Sequence, residues 1–132
     1  MTPPLTLSVV PGRLAVCRFA PEDPLPGWVF HAEARFYSVT RTPDELSVVC
    51  AEDDLPPSVG VVERGWRALA LRGPIPFDQV GVLASLTAPL AAAEIGVFAI
   101  STYDTDYLLV RERDLARAVE QLRQRFEVSS DG

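Results

Sequence analysis

One helical segment between β-rich runs constrains the fold of this chain more than any other feature. The segment FDQVGVLASLTAPLAAAEIG, residues 77–96, carries apolar side chains at steps of three and four residues, the spacing of one helix face. These side chains are Leu83, Leu86, Leu90 and Ala93. Gly96 is expected to end the helix, and Pro89 inside it should bend it or remove one backbone hydrogen bond. The pattern predicts a helix packed on a sheet.

The second half of the chain gives the order β-α-β-β-α. Its elements are a strand at 64–73, the helix at 77–96, strands at 97–103 and 106–111, and a second amphipathic helix at 112–126. A right-handed crossover through the first helix would lay strand 97–103 parallel to strand 64–73. The helix start at 77–81 would then lie at one edge of the sheet. The tail at 127–132 is expected to be frayed.

The first half predicts strands with almost no helix. Two β-rich runs are separated by the tight turn Pro11-Gly12, and a hairpin is expected around Pro43-Asp44; the four strands are at 5–10, 13–19, 35–42 and 45–52. Three prolines in the loop 20–30 leave room for one helical turn. The acidic, proline-rich segment 53–60 is the candidate boundary, so the predicted domains are 1–58 and 59–132. Paired strands with helices on one face indicate an α+β fold.

Composition excludes several classes of function. The net charge is −6, which is opposite to the basic face of a nucleic-acid binder and unsuited to an anionic membrane. All 12 basic residues are arginine, so lysine Schiff-base chemistry and a P-loop lysine are excluded. Without a signal peptide or a long apolar run, a cytoplasmic protein is expected.

Cys17 and Cys50 lie in apolar runs and are expected to be buried free thiols. No metal and no cofactor is expected.

The two halves together resemble the ACT-domain proteins of the small bacterial CASTOR-like type. FDQVGVLASLTAPLAAAEIGVFAIST is similar to the core of an ACT domain, with Asp78 and Gly81 at the family's Asp and Gly places and Val80 where proline is common. FYSVTRTPDELSVVC, ISTYDTDYLLV and the following RERDL extend the resemblance to nearly the whole chain. It implies two ferredoxin-like, ACT-type units in one chain, with antiparallel-rich sheets and a reduced helix in the N-terminal unit.

The resemblance also implies a non-enzymatic sensor or regulatory module that binds a free amino acid at an interface between ACT-like units. Gln79 stands where the arginine sensors of this type carry an acid, so the resemblance does not select arginine as the ligand. A homodimer or other homo-oligomer is compatible with it. The implied ligand-binding residues are Pro76, Phe77, Asp78, Gln79, Val80 and Gly81 at the helix start, Thr102, Tyr103 and Asp106 in the hairpin, and Ser38, Val39 and Thr40 in a strand of the neighbouring unit.

The chemistry of these residues suits an amino acid but leaves alternatives open. A helix N-terminus can bind an α-carboxylate, and Asp106 or Asp104 can bind the ammonium group. Both aspartates also fit a simple hairpin turn, and Asp78 fits a first-turn helix acid. An interaction or oligomerisation module without a ligand is the alternative function. An enzyme is less expected, because no nucleophile or metal accompanies the paired carboxylates.

Overall fold

The computed structural model describes residues 5–30, 35–76 and 78–130. The fold is α+β, as the sequence predicts. Its strands are β1 (Thr6–Val9), β2 (Leu14–Phe19), β3 (Ser38–Arg41), β4 (Leu46–Ala51), β5 (Val62–Leu71), β6 (Phe98–Ser101), β7 (Asp106–Arg111) and β8 (Glu127–Ser129). Its helices are α1 (Val82–Ala92) and α2 (Leu115–Arg123), with single 3-10 turns at Gly27–Phe30, Glu52–Asp54 and Glu112–Asp114. Within the described residues, no helix is long and apolar enough to cross a membrane.

The chain divides into two compact units. The predicted domain boundary at 58/59 stays a prediction. One unit is Gly12–Trp66, and the other combines the described parts of Met1–Pro11 and Arg67–Gly132. Strand β5 therefore contributes its first half to one unit and its second half to the other. The N-terminal strand joins the later unit because β1 pairs antiparallel with β5, Leu7 lying opposite Leu71.

The later unit, called the C-terminal unit below, has the ferredoxin-like order β5-α1-β6-β7-α2-β8 with β1 added to its sheet. Hydrogen-bonded neighbours give the strand order β6-β7-β5-β1-β8. Strand β7, rather than β6, lies next to β5, and β6 pairs antiparallel with β7. Helices α1 and α2 bury their apolar stripes in one core with the sheet; its helical members are Val82, Leu86, Leu90, Ala118 and Leu122.

The other unit, called the N-terminal unit below, is an antiparallel sheet with the strand order β3-β4-β2-β5. The predicted hairpin is confirmed, with Ser38 opposite Val49 and Arg41 opposite Leu46. The predicted single helical turn is the 3-10 turn Gly27–Phe30, which buries Val29 against the sheet. Cys17 and Cys50 are buried free thiols in this core, as expected.

Three local predictions are wrong. Strands β1 and β2 form no hairpin with each other around Pro11-Gly12, because β1 pairs with β5 and β8 while β2 pairs with β4 and β5. The tail is a strand up to Ser129, with Val128 buried and β8 parallel to β1; residues 131–132 lie outside the described residues. The first helix begins at Val82 instead of near 77, and it ends at Ala92, before Gly96.

The end of α1 shows why Gly96 is not its terminator. Glu94 adopts the left-handed conformation with φ 60°. Its N–H donates to the Ala91 carbonyl at 3.0 Å, and the Ile95 N–H donates to the Leu90 carbonyl at 2.9 Å. These two bonds are the Schellman motif, and the buried Ile95 and Leu90 belong to the same core. An exposed glutamate therefore occupies a backbone position that glycine adopts at lower cost.

We predict that Glu94→Gly stabilises the protein by about 0.5–1 kcal/mol. Relief of left-handed strain is worth about 1–2 kcal/mol, and the added freedom of glycine in the unfolded chain offsets about 0.4–1 kcal/mol. Urea unfolding followed by circular dichroism measures the change. Glu94→Ala removes the same charge but keeps the strain, so it should give no gain. An equal gain in both variants would show that charge, not backbone conformation, is responsible.

Candidate functional site

A cavity of about 370 Å³ lies in the C-terminal unit, between the start of α1 and the β6–β7 hairpin. Its volume falls in the range of small-molecule sites. Two stretches of chain line it: Ile75, Pro76, Gln79, Gly81, Val82, Leu83 and Ala84 from the loop and helix start, and Ser101, Thr102, Tyr103, Asp104, Thr105 and Asp106 from the hairpin. These two stretches are called the helix wall and the hairpin wall below.

The helix wall includes the first turn of α1, and the residue before this turn has an unusual backbone conformation. Gly81 directly precedes α1 and has φ 85°. Residues other than glycine rarely adopt this backbone conformation. The first intrahelical bond runs from the Ser85 N–H to the Gly81 carbonyl at 3.0 Å. The N–H groups of Val82, Leu83 and Ala84 have no carbonyl to bond within their own helix, and all three residues line the cavity. The positive end of the helix dipole therefore faces this cavity.

The hairpin wall contains a closed four-residue turn, 102–105. The Thr102 N–H donates to the Thr105 carbonyl at 2.8 Å, and the Thr105 N–H donates to Thr102 Oγ1 at 3.2 Å. Tyr103 and Asp104 are thus the central residues of the turn, while Asp106 is already the first residue of β7. The sequence predicts the turn at Asp104-Thr105-Asp106, whereas the observed turn begins two residues earlier, at Thr102, and ends one residue earlier, at Thr105.

Asp106 is fixed by its partner across the hairpin. It lies opposite Ser101 in the β6–β7 register, and Ser101 Oγ donates to Asp106 Oδ1 at 2.5 Å. Hydrogen bonds to a charged acceptor are short and strong. The bond holds the carboxylate at the cavity wall and keeps Asp106 Oδ1 occupied. Asp104 and Asp106 are the two carboxylates of the lining, and no arginine is among the described residues that line it.

The two walls are joined directly by hydrogen bonds. Thr105 Oγ1 donates to the Leu71 carbonyl at 2.6 Å, and the Ile75 N–H donates to the Asp104 carbonyl at 2.7 Å. Gly73 lies between these bonds, and a Cβ added there would be 3.0 Å from the Asp104 carbonyl oxygen and 3.2 Å from the Thr105 Cβ. A side chain at position 73 would therefore require these neighbours to move by a few tenths of an ångström.

The structure brings together half of the twelve ligand-binding residues that the sequence predicts. Those at the cavity are Pro76, Gln79, Gly81, Thr102, Tyr103 and Asp106. Asp78 and Val80 lie in the same loop without lining the cavity, and Phe77 lies outside the described residues. Ser38, Val39 and Thr40 belong to β3 of the N-terminal unit and do not line this cavity. Ligand contacts by any of these residues stay a prediction.

Sequence reasoning missed several residues of the lining. Ile75 and Thr105 carry no motif, and their place follows from hydrogen bonds between distant segments. Val82, Leu83 and Ala84 were missed because the helix start was predicted at 77–81, whereas α1 begins at Val82. The signal that identifies them is Gly81, since a glycine directly before an apolar helix can end a loop in the left-handed conformation.

Comparison with known proteins agrees with this architecture. The sequence model of the ACT domain matches residues 61–124, and a model of an N-terminal domain matches residues 12–58. The crystal structure of protein Atu0741 from Agrobacterium tumefaciens is 34% identical, with a TM-score of 0.89 over 99% of this chain and 96% of that one. The regulatory subunit of aspartate kinase from Thermus thermophilus, at 14% identity and a TM-score of 0.64 over 92% of this chain and 97% of that one, shares the fold.

A curated relative extends the comparison. The bovine cytosolic arginine sensor for mTORC1 subunit 1 is 34% identical over 107 residues, which is 74% of this chain. The chain spans 32% of the length of that relative. The fold and the match to the ACT-domain model thus define an ACT-type protein. More particularly, the chain belongs to the ACT-domain proteins of the CASTOR-like type.

We predict that Gly73→Ala destabilises the protein by about 1–3 kcal/mol, the usual cost of inserting a methyl group into packed structure. The new methyl would force the Asp104 carbonyl and Thr105 away from the helix wall. Urea unfolding measures the change. Gly60→Ala is the matched control, because a Cβ there meets nothing within 4 Å. Equal stability of the two variants would show that the approach of the walls is not tight.

Proposed function

We propose that this protein is a non-enzymatic regulatory module that binds a free amino acid in the cavity between the helix wall and the hairpin wall. The observation that carries the proposal is the pairing of opposite polarities in one small cavity. The positive end of α1 lies on one wall and the carboxylates of Asp104 and Asp106 lie on the other. A free amino acid has a carboxylate and an ammonium group, so it complements both walls.

The α-carboxylate is proposed to bind the N–H groups of Val82, Leu83 and Ala84. Helix N-termini bind anions through these N–H groups and the dipole, and Gly81 leaves space, since a Cβ there would meet nothing within 4 Å. The ammonium group is proposed to bind Asp106, whose Oδ2 remains available when Ser101 holds Oδ1. Asp104 is assigned to the turn, where its carbonyl bonds the Ile75 N–H.

The cavity is proposed to be closed by a neighbouring ACT-like unit, with Ser38, Val39 and Thr40 as the contributing strand. Two exposed large side chains in the segments that form the cavity support closure: Tyr103, which lines it, is 83% exposed, and Val80, between the lining residues Gln79 and Gly81, is 94% exposed. Exposed apolar side chains beside a cavity are suited to contact with a partner surface. A homo-oligomer would supply such a unit. The same exposure would serve an interaction module without a ligand, and ligand binding separates the two functions.

We predict that one or a few of the proteinogenic amino acids, each tested at millimolar concentration, raise the melting temperature of the pure protein. A ligand at one hundred times its Kd stabilises the folded state by about 2.7 kcal/mol, which shifts the melting temperature by several degrees. Differential scanning fluorimetry detects the shift, and isothermal calorimetry gives the Kd. Absence of any response across the whole set contradicts the proposal and favours the ligand-free module.

We further predict that Asp106→Asn weakens binding of the responding amino acid about 10- to 100-fold. A hydrogen bond to a charged group is worth about 1.5–3 kcal/mol, and each 1.4 kcal/mol is a factor of ten in Kd. Asp53→Asn removes one exposed carboxylate from the N-terminal unit and should leave the Kd unchanged. Asp104→Asn should keep most of the affinity, because the role assigned to Asp104 is made by its backbone carbonyl. Full affinity in Asp106→Asn would contradict the assignment.

A further inference from the structure

The two cysteines of this chain are brought to one place by strand register alone. Cys17 lies opposite Val48, and Cys50 lies opposite Ala15, in the antiparallel β2–β4 pair. Cys17 and Cys50 are thus diagonal neighbours on one face of the sheet. Both are 1% exposed in the core of the N-terminal unit. These are the only cysteines in the sequence, and neither takes part in the cavity described above.

The Cys17 and Cys50 side chains are close enough for their thiols to interact through a hydrogen bond. This contact lowers the pKa of Cys17, against the opposing effect of burial, and the Arg64 guanidinium lowers it further. The same contact raises the pKa of Cys50, and burial and the Asp54 carboxylate raise it as well. Of the two thiols, Cys17 is therefore the more acidic.

We infer that Cys17 and Cys50 are a modification site, at which a peroxide-class oxidant forms a reversible disulfide between strands β2 and β4. A metal site is the less suitable use of the pair. Among the residues that the structure describes, no group of three or more potential metal-ligating side chains occurs, and two sulfur ligands alone do not complete a tetrahedral zinc site.

The reaction is balanced with peroxide as the oxidant. The Cys17 thiolate attacks one peroxide oxygen, the O–O bond breaks, and the leaving hydroxide takes a proton to become water. Cys17 is then a sulfenic acid. Cys50 Sγ attacks the Cys17 sulfur, the S–O bond breaks, and the thiol proton leaves with the departing oxygen as a second water. Two thiols lose two electrons, and one hydrogen peroxide is reduced to two waters.

The geometry predicts that the disulfide is strained and easily reduced. Diagonal neighbours across an antiparallel pair have Cα atoms about 7–8 Å apart, whereas disulfides usually span about 4.4–6.8 Å. Strands β2 and β4 must therefore approach each other slightly as the bond forms. Strained disulfides are the labile ones in thiol exchange. Because both thiols are buried, local opening of the sheet must admit the oxidant, and a small molecule such as peroxide enters more readily than a bulky one.

The test treats the full chain with hydrogen peroxide, blocks the remaining thiols with iodoacetamide in denaturant, and measures the intact mass. The expected result is loss of both alkylation sites together, with a chain mass lower by about 2 Da and full recovery after dithiothreitol. The disulfide should remain within one chain on non-reducing gels. Full alkylation of both thiols after peroxide, stable oxygen addition without pairing, or disulfide-linked dimers would each overturn the inference.

Two variants test the order of the steps. In Cys50→Ser, Cys17 should accumulate as a sulfenic acid that dimedone traps, since no second thiol resolves it. In Cys17→Ser, Cys50 should stay reduced over the same time. Equal oxidation of the remaining cysteine in both variants would contradict the assigned order. Circular dichroism checks the fold of each variant, and the wild-type mass measurement tests the disulfide even if a variant fails to fold.

Discussion

Two hydrogen bonds between distant segments hold the candidate site together. Thr105 Oγ1 binds the Leu71 carbonyl, and the Ile75 N–H binds the Asp104 carbonyl. They attach the tip of the β6–β7 hairpin to the chain that leads from β5 into α1. Without them the hairpin wall and the helix wall would be independent loops, and the cavity would have no fixed width. Gly73 allows this approach because a side chain there would meet the turn.

Much of the fold could be predicted from the sequence because its elements depend on local pattern. The apolar spacing of α1 and α2 and the turn chemistry of the two hairpins are readable within short windows. The ends of α1 were not, since Gly81 and Glu94 adopt left-handed conformations that the apolar spacing does not report. Strand β8 was missed for another reason: its pairing with β1 joins opposite ends of the sequence, and a three-residue strand has too little pattern to indicate a partner.

The candidate site shows the same division between local and distant information. The sequence indicates Thr102, Asp104, Asp106 and Gly81 as candidate site residues, and they line one cavity in the structure. The sequence does not indicate Ile75, Thr105 or the first turn of α1, because their roles come from backbone groups and from contacts across the fold. Residue type identifies side-chain chemistry, whereas the placement of free N–H groups depends on where a helix actually begins.

The exposure of the cavity to solvent affects how tightly a ligand would bind, and therefore how binding could shift the protein between two states. In the proposed function, Asp106 and the helix N-terminus would act on an amino acid through electrostatic interactions, and these are weak while water fills the cavity. Covering the cavity, which the exposed Tyr103 lines, would expel water and strengthen both interactions. A ligand would then bind the covered arrangement more tightly than the open one, and this difference in affinity is what shifts a population between two states. If the proposed function is correct, the surface that covers the cavity would set the strength of the response to the ligand.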